Sequence, residues 1–455
     1  MRSRRLREIM SNADAEQRRL PLSGGGPSPT VRPGTQLDPV AALDLISASA
    51  RLLFENGQTT ERMVAASEQL GEALGFRATL FPHWGELVLR IGDHAGSHYE
   101  IVAAKPVGMD MNKVTETMAV IDKVCDGRID ATAMRSMLEA ITRLPAVSLV
   151  RFAFFAAAGA AALGVIFGAT HPLSLLLIAF SAGAGAWLRR WLAGISRNLF
   201  LQPFCAALLA GVVGAIAFRL QHSSVLRLVA VCPCMVLVPG PHFLNGMIDL
   251  ARARITLGAS RIVYAILIVI MISAGLLLGL AMGGVGLPAS GPSLVAPLAY
   301  DVVAAGIAVA AFGTFFAMPW RMLAIPILVG MLAHTLRWEA ISMAGASVEI
   351  GAIVACLAVG VIMTPIADRM RLPFAGLAFA SVVSLMPGVF LFRLAAGMVD
   401  LVVLGSKAPQ ELYNQVVANG TTATLIILAM SFGLIFPKML IPNLTPSLSQ
   451  RWRRR

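Results

Sequence analysis

Long apolar stretches alternate with short polar ones from Leu149 to Pro437, whereas residues 38–145 carry the mixed, periodic pattern of a soluble domain. A helix needs about 20 apolar residues to cross the hydrocarbon core of a bilayer. Ten windows meet that need: Leu149–Gly168, Pro172–Leu188, Leu199–Phe218, Leu228–Leu250, Ile262–Met282, Ala296–Met318, Met322–Leu336, Val348–Ile366, Pro373–Leu404 and Gly420–Pro437. The seventh is short, and the ninth is long and interrupted. The pattern predicts an α-helical polytopic membrane protein with a small α+β domain in front.

Within residues 38–145, Asp38-Pro39 marks a helix start, a cap followed by proline in the first turn. That helix carries Leu43, Ile46, Leu53 and Phe54 and stops at Asn56-Gly57. A second opens at Thr59 or Thr60 and ends between Gly71 and Gly75. Short β-like runs follow at Phe76–Phe81, Glu86–Ile91 and His98–Ala103. Asp110 and Asp130 then cap two more helices, and Pro145 closes the domain. Residues 1–37 read as a disordered basic arm, and 438–455 as a basic tail whose Arg451-Trp452-Arg453 run suits anionic membrane lipid.

One pattern recurs. Val236–Leu250 reads VLVPGPHFLNGMIDL and Leu385–Leu401 reads LMPGVFLFRLAAGMVDL. Each sets a Pro-Gly pair (Pro239-Gly240; Pro387-Gly388) inside an apolar run and ends in Gly-Met-(Ile/Val)-Asp-Leu. A breaker pair in hydrocarbon frees backbone groups, which survive only when buried in protein or lining a polar cavity. Interrupted spans at matching positions of two halves point to a transporter's binding site. The halves are 149–282 and 296–437, five spans each. An odd unit, duplicated, enters the membrane in opposite orientations, which predicts inverted repeats, with Asp249 near the inner face and Asp400 near the outer.

Composition agrees: 57% of residues are hydrophobic and 14% charged, against about 25% charged in soluble domains. The formal charge of +12 is topological rather than a nucleic-acid signal. Arg189, Arg190, Arg197, Arg252, Arg254, Arg261, Arg321, Arg369, Arg371 and Lys438 fall in loops on the side of both termini. Arg219, Arg227, Arg337 and Lys407 fall opposite. This places both termini and the front domain on the cytoplasmic side of the membrane. The five cysteines make no disulfide framework; Cys232 and Cys234 read as core packing. No cofactor or metal is expected. Self-assembly into a homo-oligomer is compatible with these features and not specified by them.

Charges inside spans face a cavity or a partner, because burying one in hydrocarbon costs about 2.5–3.5 kcal/mol. Arg393, the deepest, either grips a substrate carboxylate or pairs with an acid such as Asp301; its alternative is snorkelling or an Asp400 partnership. Asp301 is either a proton-coupling acid or an interfacial helix cap. Glu349 is a weaker candidate, near the headgroup zone. Freed backbone at the two breaks, with Asn245 beside the first and Ser381 and Ser384 before the second, suits an amino-acid zwitterion; interhelical hydrogen bonding is the competing role. Pro319, Pro326 and Pro365 read as kinks or span ends. In the front domain His83, His94, His98, Asp93 and Cys125 form no nucleophile, metal or phosphate motif, so regulation, docking or gating of the membrane part is expected.

Together LLFENGQTTERM (Leu52–Met63), Ala73–Gly75, KPVGMDMNKV (Lys105–Val114), LVPGPHFLNGMIDL followed by Gly258 and Arg261, and MPG (Met386–Gly388) resemble the bacterial threonine/serine exporter family. The order of these motifs and the soluble-then-five-plus-five layout carry the resemblance from about residue 40 to 440. It implies export of L-threonine and L-serine driven by the proton gradient. A membrane-embedded enzyme, or a passive channel regulated by the front domain, is the alternative.

Overall fold

The computed structural model describes residues 37–92, 96–169, 171–221, 228–288, 296–370 and 372–444. Outside them lie the basic arm, Asp93 and His94, Arg227, the loop around Ser290, Arg371 and the Arg451–Arg455 cluster. Residues from Asp38 onward form one compact unit.

The α+β domain runs α1 (Pro39–Glu55), α2 (Thr60–Ala73), β1 (Arg77–His83), β2 (Gly85–Gly92), β3 (Ser97–Ala104), α3 (Met111–Cys125) and α4 (Ala131–Thr142). Proline fixes the first turn of α1, but the Asp38 side chain caps nothing. Asp110 and Asp130 do cap, accepting hydrogen bonds from the Lys113 and Ala133 amides. Burial raises the pKa of the Asp110 carboxyl against the lowering effect of that bond. The three strands form an antiparallel sheet in chain order, pairing Leu80 with Leu89 and Leu89 with Glu100. Alternation along β2 buries Leu87, Leu89 and Ile91 on the face that α1 covers.

The membrane part contains α5 (Leu149–Ile166), α6 (Pro172–Ile195), α7 (Leu201–Gln221), α8 (Leu228–Met235), α9 (Gly240–Ala251) and α10 (Ile255–Met282) in its first half. The second half contains α11 (Leu298–Phe315), α12 (Trp320–Ser342), α13 (Val348–Arg369), α14 (Phe374–Val382), α15 (Gly388–Leu404) and α16 (Gln410–Leu444). Among the described residues nine helices are long and apolar enough to cross a membrane, ten if α8 and α9, bent by 48° to one another, count as one. Several helices outrun their apolar windows; α6 continues past Leu188 to Ile195, so that Arg189 and Arg190 lie within a helix rather than in a loop. The short seventh window is the middle of a 23-residue helix, the tenth is the middle of a 35-residue one, and α10 begins at Ile255, so that Arg261 lies within a helix rather than in a loop. Hydropathy marks only the greasy part of a helix, whereas backbone hydrogen bonding continues beyond it. Pro326 and Pro365 sit inside α12 and α13; Pro319 precedes α12.

The two halves repeat one contact scheme. α5 packs on α6, α6 on α7, and α7 on α10; in the same way α11 packs on α12, α12 on α13, and α13 on α16. The tightest pairs lean on glycine. Gly275 and Gly279 bring α10 against the α7 backbone at Phe204, Leu208 and Gly211, and Gly433 brings α16 against Cys356 and Leu357 of α13. Small residues permit such approach where helix association rests on close packing. Across the halves the contacts are reciprocal: α9 meets α14 while α15 meets α8, and α10 meets α15 while α16 meets α9.

Candidate functional site

Both Pro-Gly breaks have the same backbone form. Pro239 (φ −83°, ψ 59°) and Pro387 (φ −79°, ψ 37°) each turn the chain so that the next amide donates two residues back, Gly240 to Val238 and Gly388 to Met386, both at 2.9 Å. This resembles an inverse γ-turn. Each glycine faces the other half: a Cβ on Gly240 would fall inside the Phe379 ring of α14, and one on Gly388 would press on Met235 of α8. Ring and thioether thus occupy space where a polar hollow was expected. Overpacking a filled site costs about 1–3 kcal/mol. Gly240→Ala should therefore lower the melting temperature of the detergent-solubilised protein, and Phe379→Ala in the same chain should recover most of the loss. Additive losses would show that the two positions share no contact.

Three buried side chains meet beside the second break. His334, on α12, has Nδ1 2.8 Å from Oδ2 of Asp301 on α11 and Nε2 2.6 Å from the Ser384 hydroxyl. Ser384 lies in the 3-10 turn Val383–Leu385 just ahead of Pro387-Gly388. All three are at most 3% exposed. The network joins two titratable side chains to the turn just ahead of the backbone break. Asp301 and Ser384 were candidates from sequence; His334, which joins them, was missed. A lone histidine in the apolar run LVGMLAHTL was the available signal.

A second buried cluster lies where the α+β domain meets the bundle. Asp249, at the end of α9, accepts a hydrogen bond from the Thr60 hydroxyl at 3.0 Å and forms ion pairs with Arg261 (Nε at 3.1 Å) and Arg254 (3.6 Å). Arg261 also lies over the Phe54 ring, 5.3 Å from its centre. The Asn245 amide donates to the Gly57 carbonyl, so this side chain serves the domain contact. His242, two residues past the first break, hydrogen-bonds the Val107 backbone and packs on Tyr264, which in turn meets Trp84. The Met111 amide donates to the Phe316 carbonyl at 2.7 Å, and a Cβ on Gly376 would meet the Met111 side chain. Arg252 pairs with Glu61 at 2.7 Å, and Arg62 with Asp368 at 3.3 Å. One domain thus grips both halves.

The remaining candidates stay apart. Arg393 is half-buried on α15 and forms no ion pair with Asp301, which is engaged by His334, or with Asp400. Asp400 is exposed, Glu349 half-buried in the first turn of α13, and Ser381 returns its hydroxyl to the Leu377 carbonyl. Among the described residues no group of three or more His, Cys, Asp or Glu side chains is arranged to hold a metal ion.

Two family descriptions match. Residues 44–283 fit "Putative threonine/serine exporter", and residues 301–440 fit "Threonine/Serine exporter, ThrE". The boundary between them falls at the loop joining the two halves. No curated protein and no solved structure matches the chain. With apolar helices enough for a multi-pass membrane protein, and with both family descriptions fitting in order over most of its length, the chain belongs to the threonine/serine exporter family.

Proposed function

We propose that the protein exports small neutral amino acids, L-threonine and L-serine, across the bacterial inner membrane in exchange for protons. The observation that carries the coupling is the buried Asp301–His334–Ser384 network, a proton-holding site tied directly to the second helix break. A carboxylate and an imidazole sharing one proton change charge when it leaves, and the cost of burying charge shifts with it. The repeated contact scheme supports two inverted halves that rock about the reciprocal contacts of Gly240 and Gly388. The arginine-rich loops support a cytoplasmic place for both termini. On that reading the α+β domain, gripping both halves, is the inner gate. Pro239, Gly240, Pro387 and Gly388 frame the cargo passage. Asp249 and Asn245 hold the gate rather than cargo.

Everted membrane vesicles test this reading. They should accumulate labelled threonine or serine when a proton gradient is imposed and lose it when the gradient is collapsed. Flux indifferent to the gradient would make the protein a passive channel. The same three side chains are also those of a nucleophilic triad. Covalent labelling of Ser384 by a fluorophosphonate would favour a membrane hydrolase instead.

A further inference from the structure

At one pair of corresponding positions near the helix ends the two halves differ in charge. Arg189 and Arg337 are each the eighteenth residue of their helices, α6 and α12. Phe152 and Asp301 are each the fourth residue of theirs, α5 and α11. Neighbouring contacts confirm the correspondence. Arg190 donates to the Val147 carbonyl two residues ahead of α5, and Trp338 donates to the Ala296 carbonyl two residues ahead of α11. In the second half the arginine lies within electrostatic reach of Asp301. In the first half the same position holds a phenyl ring, with the guanidinium carbons of Arg189 and Arg190 5.8 Å and 4.9 Å from its centre. Among the described residues no carboxylate pairs with Arg151, Arg189 or Arg190, and the buried Nε of Arg189 makes no hydrogen bond.

Arg189 borders a cavity of about 10 Å³. One face of α6 lines it with Ser181, Ala182, Gly185 and Ala186, and across it stand Pro233 and Leu237, just ahead of the Pro239-Gly240 break. Among the described residues the buried Ser181 hydroxyl has no hydrogen-bond partner, whereas Ser381 and Ser67 each bond the carbonyl four residues back. Arg189 as a whole is half-buried, but its Nε is shut away from solvent, and a desolvated guanidinium donor without a counterion is costly. Its planar fork of N–H groups fits a carboxylate at two points, and the cavity walls are small.

We propose that Arg189 binds the α-carboxylate of the amino-acid cargo, with Ser181 as a second hydrogen-bonding group, in the groove that leads to the first break. The assignment rests on the export reading above. Its present volume, room for about one water, is that of the closed groove, so α6 must part from α8 to admit cargo.

Equilibrium binding of labelled L-threonine to the purified full chain tests the site separately from transport. Arg189→Gln is expected to weaken binding about 30-fold or more, the effect of losing one partner of a buried charge pair. Ser181→Ala should weaken it about 2- to 10-fold. Threonine methyl ester, its carboxylate masked, should compete poorly. Binding by Arg189→Gln within about two-fold of wild type overturns the proposal, as does equal competition by ester and free amino acid. If Arg189→Gln does not fold, Ala186→Leu replaces it: this fills the groove, and undiminished binding would equally overturn the proposal. Threonine binding that survives in Arg189→Gln while bound phosphatidylglycerol is lost would assign the arginine to a lipid headgroup, and the cargo site falls. Arg189-dependent binding without gradient-driven uptake sinks the export reading alone. Uptake with binding indifferent to Arg189 sinks this inference alone.

Discussion

Vesicles carrying His334→Ala are expected to lose proton-driven threonine accumulation while retaining exchange of threonine for serine across the membrane. Coupling energies between two sites are about 1–3 kcal/mol, or about 5- to 150-fold, and the upper end is expected here because the network is wholly buried. His334 is the only bridge between Asp301 and Ser384 among the described contacts. Without it the carboxylate is left in an apolar site with no proton-sharing partner, and the second break loses its link to protonation. Asp301→Asn should give the same split between accumulation and exchange, since an amide does not titrate. Retained exchange is the control that separates uncoupling from misfolding. Normal accumulation by His334→Ala would remove the network from the coupling mechanism.

Tethering the α+β domain to the bundle is the second large effect. Glu61 and Arg252 face each other at 2.7 Å and are partly exposed, at 40% and 30%. Glu61→Cys and Arg252→Cys, joined by a short bifunctional thiol reagent that a reductant cleaves, should slow export by about tenfold or more, a barrier increase of at least ~1.4 kcal/mol. Reductant should restore it. Each single variant should run near the wild-type rate, because an exposed ion pair contributes only about 0–1 kcal/mol. The expectation follows from the reach of the domain: Thr60 and Gly57 contact α9, Val107 contacts His242 next to the first break, and Met111 seats on Phe316 and Gly376 of the second half. On the export reading, a passage between the halves cannot open on that side while these contacts stand. Full export by the tethered protein would make the domain an appendage rather than a gate.

Asp249 and Asp400 show where sequence reading reached its limit. They close the same Gly-Met-(Ile/Val)-Asp-Leu motif and look equivalent in the chain. One is buried beneath the α+β domain with two arginines and a threonine; the other is exposed. Nothing within either motif differs enough to announce this, because the difference is supplied by Thr60, 189 positions away. Arg261 misled in the same way. Its charge suggested a loop, yet it is 1% exposed, since Asp249 and the Phe54 ring travel with it into the interface.

What the chain determined alone is what local physics encodes. Apolar run length set the spans, Pro-Gly pairs set the two breaks, Asp110 and Asp130 set helix starts, and short β-prone runs split by Gly and Pro set the strands. Each of these depends on residues a few positions apart. The tertiary structure decided which charges meet. It placed His334 between Asp301 and Ser384, closed Asp249 under the α+β domain, and left Arg189 facing Phe152 where its counterpart faces an acid. A buried charge is governed by whatever lies within a few ångströms in space, and in a bundle of this kind those neighbours come from distant parts of the chain.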